Sequence, residues 1–535
     1  MAKRDESILA ELVAARAETK PDLDVLTFER GDDPPEVRTY ADLLRNANRI
    51  GAALVRHGLE RGDRFGLMLR NHPEYVETMI AASLTGTVFV PIDPRTRGEK
   101  LVHFLRHSGS KGLVAADYCL PAFLEVRSSL PDLRFVLGLD TGEEPGAPTV
   151  TSVAGVAPLR EVLAKDVPPV EGRIAGPADP LQILYTSGTT GDPKGVVFQN
   201  ARFGAFAMLG LILGYRPDER PYTGLSLTHG NAQAVTLGPS LHMGLRAVLS
   251  RRFTKSRLWD ICRTHGCTTF SLLGGMATAI YAEPRRPNDR ENPVRMVISA
   301  GMPRAIWKDF EERFGVQVFE WYGAVEGGLA LKPIGQGPIG SFGKPAPGLE
   351  MKIVDEEGNE CPAHGVGEIV SRPAGGKASV EYFKNEEASR AKAAGGWLRS
   401  GDMGHRDEEG WFFFDYRKGG GIRHDGEFVQ PDKVEKVIAD QPGVTDVFVY
   451  GVPAASGAPG EKDVVAAIVP TDPTGFDPGT IFAACRRGLD PASVPQYLQV
   501  VDEIPKTASE KPQERFLLER FAPDAPGVHR RPAAR

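Results

Sequence analysis

The segment Tyr185-Thr-Ser-Gly-Thr-Thr-Gly-Asp-Pro-Lys-Gly195 carries three hydroxyls at Ser187, Thr189 and Thr190, three glycines at Gly188, Gly191 and Gly195, and one cation, Lys194. Glycines let a backbone bend until successive N–H groups converge on an anion. Hydroxyls add short donors, and a lysine adds a mobile positive charge. The loop therefore suits a polyphosphate. It is not a Walker A loop, because Gly195 rather than Ser or Thr follows Lys194. The apolar runs on either side, Leu181/Ile183/Leu184 and Val196/Val197/Phe198, read as buried strands that would hold the loop at both ends.

Four further segments could carry chemistry: Trp321-Tyr-Gly-Ala-Val-Glu326, Ser400-Gly-Asp402, Arg417 to Glu435, and Pro505-Lys-Thr-Ala-Ser-Glu-Lys511. With the glycine-rich loop, they resemble, in order, the signatures of the adenylate-forming superfamily: acyl-CoA synthetases, luciferases and peptide-synthetase adenylation domains. Trp321 to Glu326 is similar to that family's aromatic-Gly-x-Thr-Glu motif, and Ser400 to Asp402 to its ribose-binding Thr/Ser-Gly-Asp. Arg417 to Glu435 matches its hinge, with Arg417, Gly426, Pro431 and Glu435 in register. Pro505 to Lys511 resembles the segment of its catalytic lysine. Arg423-His-Asp-Gly-Glu427 and Gly274-Gly-Met276 most resemble the crotonobetaine/carnitine-CoA-ligase branch.

The resemblance implies a two-step reaction. A carboxylate attacks the α-phosphate of Mg-ATP to give an acyl-adenylate and pyrophosphate, and a thiol, that of CoA, then displaces AMP. Thr186, Ser187, Gly188, Thr189, Thr190 and Lys194 would cradle the β- and γ-phosphates. Glu326 would be a catalytic Mg²⁺ ligand, since a hard cation prefers carboxylate oxygen. Tyr322, beside Gly323, would offer a flat face to adenine, with Trp321 the better candidate for a core aromatic. Asp402 would accept from the ribose hydroxyls, and Arg417 would reach the ribose or the phosphate. Lys511 would be the catalytic lysine, and Lys506 an ordinary surface charge. Three departures from the family pattern stand out: Val325 where Thr is usual, Glu510 where Gly often precedes the lysine, and Gly419 where the hinge has Asp or Lys.

By the same resemblance the acyl pocket draws on His229, Gly274, Gly275, Met276 and Gly301. Peptide-synthetase domains usually place an Asp near position 229. His229, Gly230, Asn231 and Gln233 supply no acid, which disfavours a free amino acid whose buried ammonium would lack a partner. Gly274 and Gly275 leave room for an acyl group. The leading function is a stand-alone AMP-forming acyl-CoA synthetase. The alternative is an adenylating relative with another acceptor or acid, such as an ATP-dependent diazotase that activates nitrite for an arylamine, or an acyl-carrier-protein ligase. A nucleotide-binding protein without turnover is disfavoured, because Lys194, Glu326, Asp402 and Lys511 are all present.

These motifs need a scaffold. At 535 residues the chain is too long for one core, and 41% hydrophobic content is ample for packing. A net charge of −6 argues against nucleic acid as a partner. Five scattered cysteines suit reduced thiols, and with no apolar signal core and no apolar run of about 18 residues the chain reads as cytoplasmic, without a membrane span. Its expected partners are a small carboxylic acid, ATP and CoA, with a homodimer allowed.

Helix and strand patterns alternate. Helices are expected around Leu43–Leu54, ended by Gly58, and over Pro73–Leu84, Arg257–His265 and Ala305–Phe314. Strands are expected at Phe65–Leu69, Val88–Ile92, Thr268–Leu273 and Val316–Phe319. The fold class is α/β: a large N-terminal domain of helix-covered sheets with a β-rich lobe over Gly337–Trp397, then a small mobile α+β C-terminal domain. The expected boundaries are 1–416 for the AMP-binding domain with its acyl pocket, 417–521 for a lid carrying the lysine, and a disordered tail over 522–535.

Overall fold

A computed structural model of the chain describes residues 4–532 apart from 186–192, 419–421, 425–426, 430, 456–461, 490, 508–509 and 511. The chain divides into two compact units. One comprises residues 1–253, 264–271 and 379–391, and the other 254–263, 272–378 and 392–535.

The first unit is built on a seven-stranded sheet. Its strands run in the order Ala157–Pro158, Phe135–Leu139, Ser110–Ala116, Arg64–Met68, Val88–Pro91, Pro180–Tyr185 and Gly195–Gln199. All neighbours are parallel except the last two, which are antiparallel with Tyr185 opposite Gly195. Fully buried strands such as Phe135–Leu139 are apolar without alternation, as sheets covered on both faces require. A second group of strands runs Pro221–Thr223, Ala247–Ser250, Asp24–Arg30 and Asp33–Thr39.

Helix Tyr40–Arg56 forms where the spacing of Leu43, Ala47, Ile50 and Leu54 predicts it, and these four are buried. Thr39 and Asp42 close a reciprocal capping box at its start, and Gly58 follows its end at φ +79°. Its neighbour Pro73–Thr85 is buried almost all round. Glu77 is buried within that helix, where Arg38 Nε and Asn46 Nδ2 each donate to it at 2.8 Å. Burial without those partners would be costly.

The second unit carries eight strands in the order Met296–Ala300, Gln317–Ala324, Gly327–Lys332, Ser341–Pro345, Phe412–Arg417, Leu398–Arg406, Gly367–Pro373 and Leu349–Val354. The first pair is parallel and the rest antiparallel; Ser341–Pro345, Leu349–Val354 and Gly367–Pro373 fall within the β-rich lobe expected over Gly337–Trp397, and the sheet extends beyond it on both sides. The same unit holds a four-stranded sheet, Val444–Pro453, Lys462–Pro470, Tyr497–Val500 and Val528–Arg530. Helices Pro431–Ala439 and Pro478–Gly488 cover it, burying Val434, Ile438, Ile481 and Phe482 against Val449 and Val464. The α/β class expected from the alternation is the class observed.

The C-terminal tail differs from expectation. Residues 522–532 are ordered, because Val528–Arg530 pairs with the edge strand Tyr497–Val500 and so satisfies backbone groups that would otherwise be exposed. The Arg531 N–H donates to Gln496 O at 2.8 Å, and Arg486 Nη2 donates to Pro532 O at 2.6 Å. Among the described residues no helix is long and apolar enough to cross a membrane. All five cysteines are buried, and none is joined in a disulfide.

Candidate functional site

In the first unit the strands flanking the hydroxyl-rich loop form as the two apolar runs require. Thr186, Ser187, Gly188, Thr189 and Thr190 lie outside the described residues. Lys194 is described and exposed, with its Nζ 5.6 Å from the centre of the Tyr382 ring. The foot of the loop is tightly packed. A Cβ at Gly195 would lie 2.6 Å from Ile183 Cγ2 and 3.2 Å from the Tyr185 ring, so only glycine fits there. Tyr185 stacks on Phe104 and its hydroxyl is 2.7 Å from His107 Nδ1.

A distant segment completes this edge. The Val197 N–H donates to Glu381 O at 3.0 Å, and the Phe383 N–H donates to Gly195 O at 2.8 Å. Tyr382 thereby reaches the base of Lys194. Sequence reasoning did not single out Tyr382, and no local motif marks it.

His229 is half-buried, and its Nδ1 accepts the Asn231 N–H at 3.2 Å. Gln233 donates to Leu227 O at 2.8 Å and pairs with Gln182, whose amide donates to it at 2.8 Å. A π-helix, Ala232–Leu237, follows directly. Such wide turns are rare and often occur at functional positions. Both polar side-chain atoms of Asn231 are buried without a hydrogen-bond partner among the described residues.

The second unit assembles Tyr322, Asp402 and Arg417. Asp402 and Arg417 face each other across adjacent antiparallel strands. The Tyr322 hydroxyl donates to Asp402 Oδ2 at 2.7 Å, and Arg417 Nε lies 3.0 Å from Asp402 Oδ1. Burial, reinforced by the Asp402 charge, pushes the Tyr322 phenol well above its ordinary pKa, which keeps it a donor. Ser400 Oγ accepts the Asp402 N–H at 2.9 Å and donates to Ile369 O at 2.6 Å, which fixes the turn at Gly401, φ +79°. Each Asp402 oxygen retains acceptor capacity beyond its one partner. One face of Tyr322 stacks on Phe342, with centroids 4.6 Å apart. At Gly323 a Cβ would lie 2.6 Å from the Trp321 ring, so this glycine is required by the fold of its neighbour.

Val325 and Glu326 form the turn of the hairpin between Gln317–Ala324 and Gly327–Lys332. Lys392 Nζ is 3.9 Å from Glu326 Oε1 and also donates to Ser400 O at 3.2 Å. Among the described residues no three His, Cys, Asp or Glu side chains cluster to hold a metal. Glu326 fits Mg²⁺ as a single hard oxygen donor, the arrangement that cation takes when phosphates and water complete its shell.

The strand before Tyr322 holds a residue that sequence reasoning missed. Glu320 is fully buried. Its Oε1 accepts the Gly301 N–H at 2.5 Å and its Oε2 accepts the Met302 N–H at 3.1 Å. Burial pushes its carboxyl up to about 8 despite those bonds. The signal was an acid inside the apolar run Val316–Tyr322.

Met276 is buried in helix Gly274–Tyr281. The structure gives Gly274 and Gly275 a reason besides acyl room. A Cβ at Gly274 would lie 2.3 Å from Gly301 O, and one at Gly275 would lie 3.1 Å from Glu510 O.

Lys511 lies outside the described residues. Among its described neighbours Lys506 bridges Pro512, the Gln513 N–H donates to Pro505 O at 2.8 Å, and the Glu510 N–H donates to Thr507 O at 2.9 Å. Glu510 sits at φ +58°, a conformation that costs a residue with a Cβ and that glycine adopts freely. Lys506 is not an ordinary surface charge. It is 16% exposed and pairs with Asp446 at 2.5 Å. Glu435 of the hinge motif is half-buried, accepts the Val449 N–H at 2.9 Å, and is pushed up to about 8 by desolvation. Gly426 and Gly419 lie outside the described residues.

Residues 13–376 match the family described as AMP-binding enzyme, and residues 433–511 match the AMP-binding enzyme C-terminal domain. A crotonobetaine/carnitine–CoA ligase of Salmonella heidelberg is 28% identical over 92% of this chain and 95% of its own length. A steroid-22-oyl-CoA synthetase of Rhodococcus jostii is 28% identical over 92% and 90%. Among solved structures, an anthranilate CoA ligase in complex with anthranoyl-AMP has a TM-score of 0.82 at 23% identity, covering 97% of each chain. A benzoate CoA ligase from Burkholderia xenovorans has a TM-score of 0.77 at 24% identity, covering 95% of this chain and 99% of its own. At those identities the two structures speak for the fold alone.

Proposed function

Because the chain belongs to the AMP-binding enzyme family, we propose that it is an AMP-forming acid–CoA ligase acting on a carboxylic acid other than a free amino acid. In the first step a carboxylate oxygen attacks the α-phosphorus of ATP and the α–β anhydride bond breaks. Pyrophosphate leaves with the electron pair. In the second step the CoA sulfur, as thiolate, attacks the acyl carbon and AMP departs.

The observation that carries the reading is the Tyr322–Asp402–Arg417 network. It presents a carboxylate with spare acceptor capacity beside a guanidinium and an aromatic ring, the set that suits ribose hydroxyls, phosphate and adenine. Lys194 and the hydroxyl-rich loop would receive the β- and γ-phosphates, and Lys511 the charge that builds at the α-phosphate. Glu326 would be the carboxylate given to Mg²⁺, which when bound offsets phosphate charge. The absence of an acid from His229–Gln233 disfavours a free amino acid, whose buried ammonium would lack a partner. The named relatives are CoA ligases and synthetases, which supports CoA as the acceptor.

A panel of carboxylic acids incubated with ATP, Mg²⁺ and CoA tests the reading. At least one acid should release stoichiometric AMP and pyrophosphate and give an acyl-CoA by mass spectrometry. AMP release with an acid but no thioester in the presence of CoA would assign a different acceptor.

A further inference from the structure

Gly274 and Gly275 open the helix Gly274–Tyr281, and backbone lies against both of them. The Gly301 carbonyl packs where a Gly274 Cβ would be, at 2.3 Å. Gly301 itself is at φ +96°, and its N–H is held by the buried Glu320 carboxyl. On the next residue the Glu510 carbonyl lies 3.1 Å, and Pro512 Cδ 3.7 Å, from the place of a Gly275 Cβ. Glu510 and Pro512 flank Lys511 in sequence. The far end of the same helix also meets the C-terminal region, where Lys436 Nζ donates to the Tyr281 hydroxyl at 3.4 Å and lies 5.2 Å from its ring centre.

We propose that Gly275, backed by Gly274 and Gly301, is a positioning residue: a seat made of backbone on which the segment carrying Lys511 docks for the first half-reaction. The proposal rests on the catalytic reading of Lys511 given above. A side chain at this contact could rotate out of the way. The Glu510 carbonyl is backbone, on a residue whose own N–H is bonded to Thr507 O, and cannot. A methyl group at 275 therefore has to displace the loop by a few tenths of an ångström, and the displacement passes to the residue after Glu510. Misplacement of a catalytic group by about 1 Å costs on the order of 10²-fold in rate. The acyl-room reading of Gly275 makes a different forecast, because a methyl group in a pocket obstructs substrates according to their size.

The test compares Gly275→Ala and Gly275→Val with Lys511→Ala in the full-length enzyme, each half-reaction being followed separately. ATP–pyrophosphate exchange reports the first half, and thioester formation from a supplied acyl-adenylate plus CoA reports the second. The expected result for Gly275→Ala is a fall of about tenfold in exchange kcat, by the same factor for short and bulky acids, with acid KM and the second half unchanged. Gly275→Val should lose about 10²-fold or more. Glu510→Gly in the Gly275→Ala background should recover part of the loss, because a residue without the positive-φ penalty lets the carbonyl move. Unchanged kcat with an acid KM that climbs with acid size would overturn the seat and return Gly275 to the pocket. Equal loss in both halves would also overturn it. Normal exchange in Lys511→Ala would overturn the role of Lys511 itself, and the seat with it. A dead Lys511→Ala beside an unaffected Gly275→Val would remove the seat alone.

Discussion

The loop ending at Lys194 and the strands carrying Tyr322, Asp402 and Arg417, which the proposed function assigns to ATP, hold their polar groups in opposite ways. Around Lys194 the scaffold is packed and the functional charge is exposed: Gly195, Ile183 and Tyr185 fit closely, while the ammonium stands over the Tyr382 ring. In the second unit the groups proposed to act are themselves part of the scaffold, since Asp402 is buried, faces Arg417 on the adjacent strand and accepts from Tyr322 on the more distant strand Gln317–Ala324. A mobile lysine can follow a phosphate as charge shifts during reaction. A pre-bonded carboxylate keeps a fixed place for a sugar. Function and stability should therefore separate at the first region and fall together at the second.

Asp402→Ala is the strongest way to break that contrast. It removes the acceptor shared by Tyr322 and Arg417 and leaves a buried hydroxyl without its partner. Hydrogen bonds to charged groups contribute about 1.5–3 kcal/mol each, so kcat/KM for ATP should fall by about 10²–10³. The apparent melting midpoint should fall by several degrees. Loss of activity with an unchanged midpoint would show that the network is not structural.

Lys194→Ala should cost less, about tenfold in kcat/KM for ATP, because an exposed charge acts through solvent. Its effect should shrink at high salt while the melting midpoint stays constant. A destabilised Lys194→Ala protein would erase the difference between the two regions.

The contrast also explains what could be read before the fold was known. The strands beside the loop, the helix Tyr40–Arg56 and the Asp402 motif rest on local apolar spacing and on short contiguous signatures, so they were legible. Tyr382 was not, because it reaches Lys194 through backbone pairing of 381–383 with Gly195–Val197. Glu320 stood out only as a misplaced acid, and its partners at Gly301 and Met302 come from a neighbouring strand end. Lys506 looked like a surface charge because Asp446 lies sixty positions away. The Pro and Ala content of 522–535 predicts a disordered tail. The unpaired edge of Tyr497–Val500 that orders it cannot be seen from the tail's own residues.

Val325→Thr probes the second region at its hairpin turn. It places a hydroxyl where the resemblance expects an α-phosphate contact, at nearly constant volume but changed polarity. Adenylation should be retained or rise a few-fold, within about 1 kcal/mol of the parent. A large loss in a folded protein would mean that the turn around Glu326 has been rebuilt for valine.

The smallest expected effect is on stability alone and concerns Glu320. Its carboxyl is raised by burial from an ordinary value of 4.5 to about 8 in the folded chain. Between those two values the native state holds a proton that the unfolded state has released. Linkage then makes stability fall as pH rises, so the contribution is complete below pH 4.5 and lost as pH passes through about 8. Glu320→Gln imitates the protonated form without titrating. Its Oε1 can still take both backbone N–H groups, since Met302 N lies 3.3 Å and Gly301 N 2.5 Å from that oxygen. The variant and the parent should melt within a degree or two of each other near pH 5. By pH 9 the variant should be the more stable by a few degrees, a shift equivalent to about 1 kcal/mol or more. Glu435, also raised to about 8, remains in both proteins and cancels in the comparison. A variant that gains nothing between pH 5 and pH 9 would show that Glu320 is already ionised in the native state at neutral pH. The two N–H bonds, rather than burial, would then dominate its environment.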